Sequence, residues 1–531
     1  MALCDRFFGS DQHFDGLLIS SPQGHSGKTL VTIGLCDGFR RRGLHVQPFK
    51  KGPDYIDPSW LSVAARRACR NLDLFLIPEE RLLHSFERAM EGADLAIVEG
   101  AMGLFDGVDS PETGTSAEIA RLLQIPVILV VNTTRMTSSI AAMVKGYQDF
   151  QEDVRIAGVI LNQVSGKRHE QKLRAAVETY CRIPVVGSIP RDLDLKIHER
   201  HLGLIPSREL KESESMVERM GRKLEEYLDL DAILSVARRG TPHPHPFSRR
   251  RCRESLHGST SSPRAGDGTL EIDYSAVHPE CVEGRTANDD TVFKDNGEKK
   301  GAAKVKIGVM YDQVFHFYYP ENLEALKSQG AELVLINSLE DPLPEIDGLY
   351  IGGGFPELFL EALEKNRTLR REIKEAVEAG LPVYAECAGL MYLCESVEEE
   401  GRSYEMAGIL PARVKMSKRP QGHGYVVAEV VKENSFFPQG LKTRGHEFHH
   451  SGLSPQGHLE FAYRIERGHG IQGASDGIIY KNLFASYVHL HALGTPEWAP
   501  GFVSLASREK RVTDKRVRIE RYGTNHENIQ P

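Results

Sequence analysis

The sequence of 531 residues lacks any apolar run long enough to cross a membrane, which takes about 18 consecutive apolar residues or more. Its first residues, MALCDRFFGSDQHFDG, also lack the apolar core of a secretory signal. These two absences argue against the membrane-embedded and secreted classes. We therefore expect a cytoplasmic protein without a membrane partner.

Closely paired cysteines and an excess of positive charge are missing as well. No two of the eight cysteines form a CxxC pair, which disfavours a zinc site of paired cysteines and fits thiols that stay reduced. The 66 Lys and Arg residues are outnumbered by 74 Asp and Glu, which gives a net charge of −8. A surface that is not basic overall argues against a nucleic-acid partner.

The first half of the chain alternates short aliphatic runs with helical spacing. Aliphatic runs occupy residues 17–20, 95–98, 127–131 and 157–161, and helical patterns between them include residues 30–42 and 117–123. Continuous aliphatic strands separated by helices are typical of a parallel sheet that is covered on both faces. The pattern predicts an α/β domain over residues 14–235, after an N-terminal extension of residues 1–13.

Residues 236–303 are poor in aliphatic side chains and predict a flexible linker. The four arginines within residues 249–253 leave open a contact with an anionic partner, which has little support.

A second stretch of alternating strand-like and helical patterns follows the linker. Strand-like runs cover residues 306–310, 333–336, 348–351 and 382–385, and helical patterns cover 321–329 and 358–379. The sequence predicts a second domain over residues 304–505, with antiparallel strands beyond residue 407, and a loosely held polar tail over residues 506–531.

A glycine-rich loop follows the first strand and opens the first long helix. Its sequence, SSPQGHSGKT over residues 20–29, places Gly27, Lys28 and Thr29 where backbone N–H groups and a helix N-terminus can cradle phosphates. Lys28 would reach the terminal phosphates, and the Thr29 hydroxyl would bind Mg²⁺. Pro22 stands where the strict pattern has glycine, and a plain glycine-rich turn is the alternative interpretation.

Two further clusters follow strands of the same domain, at residues 49–58 and 98–107. Because the carboxyl ends of parallel strands share one edge of a sheet, Lys50, Asp54 and Glu99 are expected near the loop. Mg²⁺ prefers one or two carboxylates together with phosphate oxygens and water, so Asp54 and Glu99 are candidate ligands. The alternative is that each acid is a turn residue or a helix cap.

Cys387 follows the strand-like run that ends in Ala385-Glu386, and it precedes a helical pattern with small residues beside it. A sharp turn at such a junction exposes a thiol as a nucleophile, whereas a lone cysteine is more often an inert core residue. The glycines of residues 352–354 could supply oxyanion-binding N–H groups. A cysteine nucleophile needs a base, and His489 and His491 are the candidates; no third acid is evident.

The run HEFHH at residues 446–450 matches the HExxH motif of zinc proteases. That chemistry needs a helix, and glycines at 445 and 452 with no helical periodicity argue against one. We predict no catalytic zinc there.

Ten short motifs in order carry a resemblance to a known family. They are QPFKKGPDYIDP, RNLD, VEGAMGLFDG, AGVILN and ERHLGL in the first domain, and YYPENLEAL, LYIGGGFPEL, PVYAECAGLMYL, RGHEFHHS and ASYVHLH in the second. With them the chain resembles the cobyrinic acid a,c-diamide synthases, whose first domain is similar to dethiobiotin synthetase and whose second is a class I glutamine amidotransferase. Lys28, Thr29, Lys50, Asp54 and Glu99 occupy the matching positions of the nucleotide site. The same match makes Cys387 the nucleophile and His489 its partner.

The resemblance implies an amide synthetase whose substrates are ATP, glutamine and a tetrapyrrole polycarboxylate, with Mg²⁺ as cofactor. It implies that the a and c acetate groups of cobyrinic acid are amidated through an acyl phosphate. Lys51 stands where the cobyrinate enzymes commonly have a small or aliphatic residue, which keeps sirohaem or a (Ni-)sirohydrochlorin open as the substrate. A regulatory protein that kept the fold without the chemistry would be expected to lose Lys28 or Cys387, and both are present. The sequence leaves the oligomeric state open, a homodimer included.

Overall fold

A computed structural model describes residues 14–109, 113–191, 199–200, 203–238 and 305–523. The predicted N-terminal extension and most of the predicted linker lie outside these residues. Two α/β units follow each other along the described chain, which confirms the predicted fold class.

The first unit is built on a seven-stranded, fully parallel sheet with the strand order β3-β2-β4-β1-β5-β6-β7. The strands are β1 Asp15–Ser20, β2 Val46–Lys51, β3 Arg70–Leu72, β4 Leu95–Glu99, β5 Val127–Asn132, β6 Ile156–Val164 and β7 Val185–Pro190. Aliphatic side chains of both strand faces are buried in two separate clusters, one on each side of the sheet. This burial explains why the strands read as continuous aliphatic runs.

Helices cover both faces of this sheet. They span Lys28–Arg41, Ile56–Ala65, Glu79–Met90, Ser116–Leu122, Ser139–Phe150, Lys167–Ala176, Ser213–Glu225 and Leu230–Arg238. A π-helical turn (Val177–Cys181), a 3-10 turn (Ser207–Glu209) and an antiparallel strand pair, β8 Glu199–Arg200 with β9 Gly203–Leu204, are also part of the unit. The last helix ends at Arg238, three residues beyond the predicted end of the domain.

The second unit contains a ten-stranded sheet with the order β12-β10-β13-β15-β24-β23-β22-β19-β20-β25. The five strands from β12 to β24 are parallel, and the pairs from β24 to β25 are antiparallel. Most strand pairs beyond residue 407 are antiparallel, as expected, although the strands at 410–416 and 483–486 also pair in parallel with earlier strands. The strands are β10 Val305–Met310, β11 Phe315–Phe317, β12 Ala331–Ile336, β13 Gly348–Ile351, β14 Gly353–Gly354, β15 Val383–Glu386, β16 Cys394–Glu399, β17 Arg402–Glu405, β18 Leu410–Met416, β19 Gly422–Val430, β20 Lys442–His449, β21 Ser451–Pro455, β22 Glu460–Arg467, β23 Ser475–Tyr480, β24 Leu483–Ser486 and β25 His489–Leu490.

Two predictions for this unit are wrong in part. The range 358–379 is not one helix but two, Leu360–Lys365 and Arg367–Glu378, because the Asn366 side chain accepts the N–H of Leu369 at 3.2 Å and caps a new start. The loosely held tail predicted from residue 506 is instead helical as far as residue 523, because the last helix spans Trp498–Gly523. The remaining helices of this unit are Pro320–Ser328 and Ala388–Leu393, with a 3-10 turn at Pro356–Leu358. No helix among the described residues is both long and apolar enough to cross a membrane.

The two units contact each other beside the carboxyl ends of β2, β3 and β4. Arg70 at β3 donates to Glu324 at 2.6 Å and 3.1 Å. The hydroxyl of Tyr425 donates to Asp73 at 2.5 Å. The strand edge that carries the predicted nucleotide site therefore faces the second unit.

Candidate active site

The phosphate loop leaves β1 at the centre of the sheet and ends at Gly27, where the first helix begins. Gly27 has a φ of +92°, and a Cβ there would lie 2.3 Å from Asn162 Nδ2. That amide donates to the carbonyl of Ser26 at 2.9 Å and fixes the loop from β6. Both the left-handed conformation and the close approach require glycine at this position.

Lys28 folds back over the loop instead of reaching into solvent. Its ammonium donates to Ser21 Oγ at 2.8 Å and to the Met102 carbonyl at 2.7 Å. Burial, and next the charge of Lys50, lower the pKa of Lys28 to about 8. A buried ammonium held only by neutral oxygens is well placed to be stabilised by an anion such as a phosphate.

Glu99 is the point on which the predicted nucleotide residues converge. One of its oxygens accepts both the Thr29 hydroxyl, at 2.8 Å, and the Lys50 ammonium, at 2.7 Å. Burial raises the pKa of Glu99 to about 7, with the charge of Lys50 acting against that shift. Its second oxygen, Oε2, is buried without a hydrogen-bond partner. An unsatisfied carboxylate oxygen beside a hydroxyl is a suitable position for a hard cation.

Asp54 caps a turn, which is the alternative that sequence analysis left open, and its other oxygen faces the predicted nucleotide residues. Its Oδ1 accepts the N–H groups of Ile56 at 2.8 Å and Asp57 at 3.2 Å, as a turn-capping residue does. Its Oδ2 lies 3.6 Å from Lys50 Nζ, on the side of the nucleotide residues. Burial, followed by the charge of Asp57, raises the pKa of Asp54 to about 6.

Asp57 is a member of this cluster that sequence analysis missed. It accepts the Lys50 ammonium at 2.5 Å, closer than Asp54 does. The signal was present, because acids three residues apart at a helix start lie on one side. The residues predicted for the nucleotide site lie together at one edge of the sheet, at or after the ends of β1, β2 and β4, and Asp57 joins them. They are Gly27, Lys28, Thr29, Lys50, Asp54 and Glu99.

Cys387 lies in the sharp turn expected between β15 and the helix Ala388–Leu393. Its φ is +49°, a left-handed value that is strained for a residue with a side chain, and its N–H donates to Ser486 at 2.8 Å. Burial, and next the charge of Glu357, raise the pKa of the thiol to about 12. The resting thiol is therefore protonated, and a base must remove its proton for attack.

His489 lies beside the glycine segment that also contacts the helix following Cys387. A Cβ on Gly353 would be 2.5 Å from His489 Cε1 and 3.2 Å from Nε2, and the neighbouring Gly352 carbonyl accepts the N–H of Gly389 at 3.1 Å. On the other side of the ring, Nδ1 lies 3.7 Å from Glu386 Oε2. Glu386 is an acid beside the predicted base that sequence analysis did not identify.

His491 faces a different acid. Its Nε2 lies 3.6 Å from Glu321 Oε2, and Glu321 in turn pairs with Arg70 at 3.1 Å.

The prediction that the glycines of residues 352–354 supply N–H groups to an oxyanion needs a correction at Gly352. The N–H of Gly352 donates to the Tyr318 hydroxyl at 2.7 Å, so it is not free to bind an oxyanion in this conformation.

Residues 446–449 of the HEFHH run lie in β20, His450 follows that strand, and no part of the run is helical, as expected. His446 pairs in register with His489, and the two rings stack with centroids 4.9 Å apart. His449 stacks instead on Tyr487, at 3.6 Å, with its Nδ1 2.7 Å from the Ser451 carbonyl oxygen. Within the described residues no cluster of three or more His, Cys, Asp or Glu side chains could hold a metal ion. The absence of a catalytic zinc stays a prediction.

Two family models match the chain. Residues 17–205 match the family model described as a CobQ/CobB/MinD/ParA nucleotide binding domain. Residues 306–497 match the model of a CobB/CobQ-like glutamine amidotransferase domain.

Curated relatives match across both units. A protein of Magnetococcus marinus named cobyrinate a,c-diamide synthase is 42% identical over 496 residues, which cover 93% of this chain and 97% of the relative. Proteins of the same name from Archaeoglobus fulgidus and Methanothermobacter thermautotrophicus are 40% and 38% identical, over 93% and 90% of this chain and 98% and 96% of their own lengths. The chain is a glutamine-dependent ligase with a nucleotide-binding domain, and it belongs to the cobyrinate a,c-diamide synthase family.

Proposed function

We propose that this protein amidates the a and c acetate groups of cobyrinic acid, with ATP to activate each carboxylate and glutamine to supply ammonia. The observation that carries the proposal is the convergence of Thr29 and Lys50 on one oxygen of buried Glu99, at the head of a phosphate loop. The relatives named above act on cobyrinate by their names, which favours this substrate over the sirohaem and sirohydrochlorin alternatives.

In the first unit, the loop N–H groups and Lys28 bind the phosphates of ATP. A substrate carboxylate oxygen bonds to the γ-phosphorus while the bond to ADP breaks, which gives an acyl phosphate. Lys28 and Lys50 are the buried cations that stabilise the charge developing on the transferred group. Ammonia then attacks the acyl carbon, phosphate leaves with the C–O bond electrons, and the amide forms after loss of a proton.

The residues present fit a Mg²⁺ ion. The Thr29 hydroxyl and Glu99 would hold it, since Glu99 Oε2 is buried and unsatisfied, and Asp54 lies on the same side through its contact with Lys50. When bound, the ion would neutralise phosphate charge. Two or three protein ligands are enough, because phosphate oxygens and water complete the coordination of Mg²⁺.

In the second unit, Cys387 and His489 act on glutamine. His489 Nε2 takes the thiol proton as the sulfur bonds to the amide carbon, and the protonated leaving group departs as ammonia. Water then hydrolyses the thioester to glutamate and restores the thiol. The buried Glu386 near Nδ1 favours the positive charge that His489 carries during this exchange.

The deciding experiment presents purified protein with ATP, Mg²⁺, glutamine and, in separate reactions, cobyrinic acid, sirohaem and Ni-sirohydrochlorin. Mass spectrometry of the tetrapyrrole should show two successive amidations of cobyrinic acid only, with ADP and glutamate formed in step. Amidation of another tetrapyrrole in preference would refute the substrate. Absence of any ATP-dependent amidation would favour a regulatory protein on the same fold.

A further inference from the structure

One side chain of the nucleotide unit lies inside the glutaminase unit. Tyr55 follows β2, at the start of the helix Ile56–Ala65, and its ring stacks on Phe317 at 5.0 Å between centroids with planes 7° apart. Three more rings of the second unit surround it: Tyr319 at 4.7 Å, His446 at 5.7 Å and His489 at 5.4 Å. The packing between the units therefore places a side chain of the first unit against His489, the predicted catalytic base of the second.

The Tyr55 oxygen lies 3.4 Å from His489 Nδ1, and the next oxygen at that nitrogen is Glu386 Oε2 at 3.7 Å. The carboxylate of Glu386 can only accept, and the Tyr55 hydroxyl can accept as well, so this arrangement favours a ring proton on Nδ1. The opposite nitrogen, Nε2, is then unprotonated on the side of Gly353 and can accept a thiol proton. Tyr55 therefore contributes to both the tautomer and the orientation of His489.

The same short turn reaches the nucleotide site. Asp54 and Asp57, the residues on either side of Tyr55 and Ile56, both face Lys50, at 3.6 Å and 2.5 Å. Asp54 also caps the turn through the N–H groups of Ile56 and Asp57. A change of charge or contact at Lys50 when nucleotide binds therefore acts on the backbone that carries Tyr55.

We propose that Tyr55 is a positioning residue for His489, supplied by the synthetase unit, and that it makes glutamine hydrolysis depend on the state of the nucleotide site. The glutaminase site is incomplete without this side chain of the other unit. Binding of ATP and the carboxylate substrate changes the conformation of the turn 52–57. The turn fixes the position of the Tyr55 side chain, and Tyr55 fixes the orientation of the His489 ring. The identity of the reaction rests on the proposed function, but the positioning role concerns glutamine hydrolysis alone.

The test compares Tyr55→Phe, which keeps the ring and removes the oxygen, with Tyr55→Leu, which removes both. Tyr425→Phe is the matched control, because it removes another hydroxyl between the units, the one bonded to Asp73, without touching His489. Glutamate release by the full-length proteins is measured with glutamine alone and again with ATP, Mg²⁺ and cobyrinic acid. A thermal melt of each variant confirms that it is folded.

For Tyr55→Phe we expect kcat of glutamine hydrolysis to fall by about tenfold, with KM for glutamine unchanged within about twofold, since a positioning residue acts on the chemical step and not on binding. The rate increase caused by ATP and cobyrinic acid should disappear in both Tyr55 variants and persist in Tyr425→Phe. A native-like kcat and a native-like increase in Tyr55→Phe would overturn the proposal. So would an equal loss in Tyr425→Phe.

If Tyr55→Leu does not fold, the comparison of Tyr55→Phe with Tyr425→Phe still tests the proposal. Failure of the proposed function gives a different result. In that case the native protein releases glutamate but forms no amide of cobyrinic acid, and the Tyr55 comparison is still read from glutamate.

Discussion

Lys50 and Glu99 form a buried ion pair, with Nζ and Oε1 2.7 Å apart, across two strands that place these residues directly opposite each other in register. The pair is shared with Asp57, and the Lys50 and Glu99 side chains are 5% and 0% exposed. Removing one partner of a buried pair leaves an uncompensated charge in the interior.

We predict that Lys50→Met destabilises the protein by about 3–5 kcal/mol at pH 8, because Glu99 and Asp57 lose their common cation. The loss should be smaller at pH 5. Burial raises the pKa of Glu99 to about 7 even beside Lys50, so at pH 5 the acid is already largely neutral in the native protein and needs its cation less. Denaturant unfolding at both pH values measures it. The matched control is Lys145→Met, whose pair with Asp149 is 51% and 62% exposed and should change stability by less than about 1 kcal/mol. Equal effects of the two variants would contradict the buried pair.

We predict that Lys28→Met lowers amide synthesis by about 100-fold or more with either glutamine or ammonium as the nitrogen source, because the cation at the transferring phosphate is lost. Basal glutamine hydrolysis should survive, which serves as the internal control for folding. Near-native synthesis from ammonium would show that the loop does not hold ATP.

For Cys387→Ala we expect glutamine-driven synthesis to vanish while synthesis from a high concentration of ammonium persists. The thiol acts on glutamine only, in the second unit, whereas the acyl phosphate forms in the first. Amide formation is measured with each nitrogen source. Cys394→Ala, a substitution at another buried thiol of the same unit, is the control. A folded Cys387→Ala protein that has lost both activities equally would contradict the division of labour.

The pKa of the Cys387 thiol, raised to about 12 by burial and then by Glu357, predicts how it reacts with iodoacetamide. The reactive thiolate is a minor species below this pKa, so the inactivation rate should rise by about tenfold per pH unit between pH 7 and pH 9. Residual glutaminase activity and mass spectrometry of the labelled peptide follow the reaction. A rate that is already constant above pH 7 would instead indicate a thiolate formed at rest.

Residues 240–300, which lie outside the described part of the chain, should tolerate substantial shortening. The free energy of closing a flexible loop changes by only about 0.6 kcal/mol for each doubling of its length. A deletion that still spans the distance from Arg238 to Val305 should retain glutamine-driven synthesis and thermal stability. Loss of activity in every such deletion would show that the segment belongs to an active site.

The sequence by itself determined the elements and the chemistry of each loop. Continuous aliphatic runs require burial on both faces, so β1, β4, β5 and β6 could be placed in a covered parallel sheet. Lys28, Glu99 and Cys387 were found because each lies beside the turn or loop that follows a strand. Local constraints of this kind act over a few residues and can therefore be read in the sequence.

Tertiary structure alone decided which loops meet. Asp54 and Asp57 both follow β2 and both face Lys50, and which of them lies closer depends on a difference of about one ångström that the sequence does not show. Glu386 was not assigned because its neighbour His489 is 103 positions away in sequence, joined only by the folding of β15 and β25. The contact of Tyr55 with His489 depends on how two units pack, and packing at that range is set by the shapes of whole surfaces, which no local pattern in the sequence records.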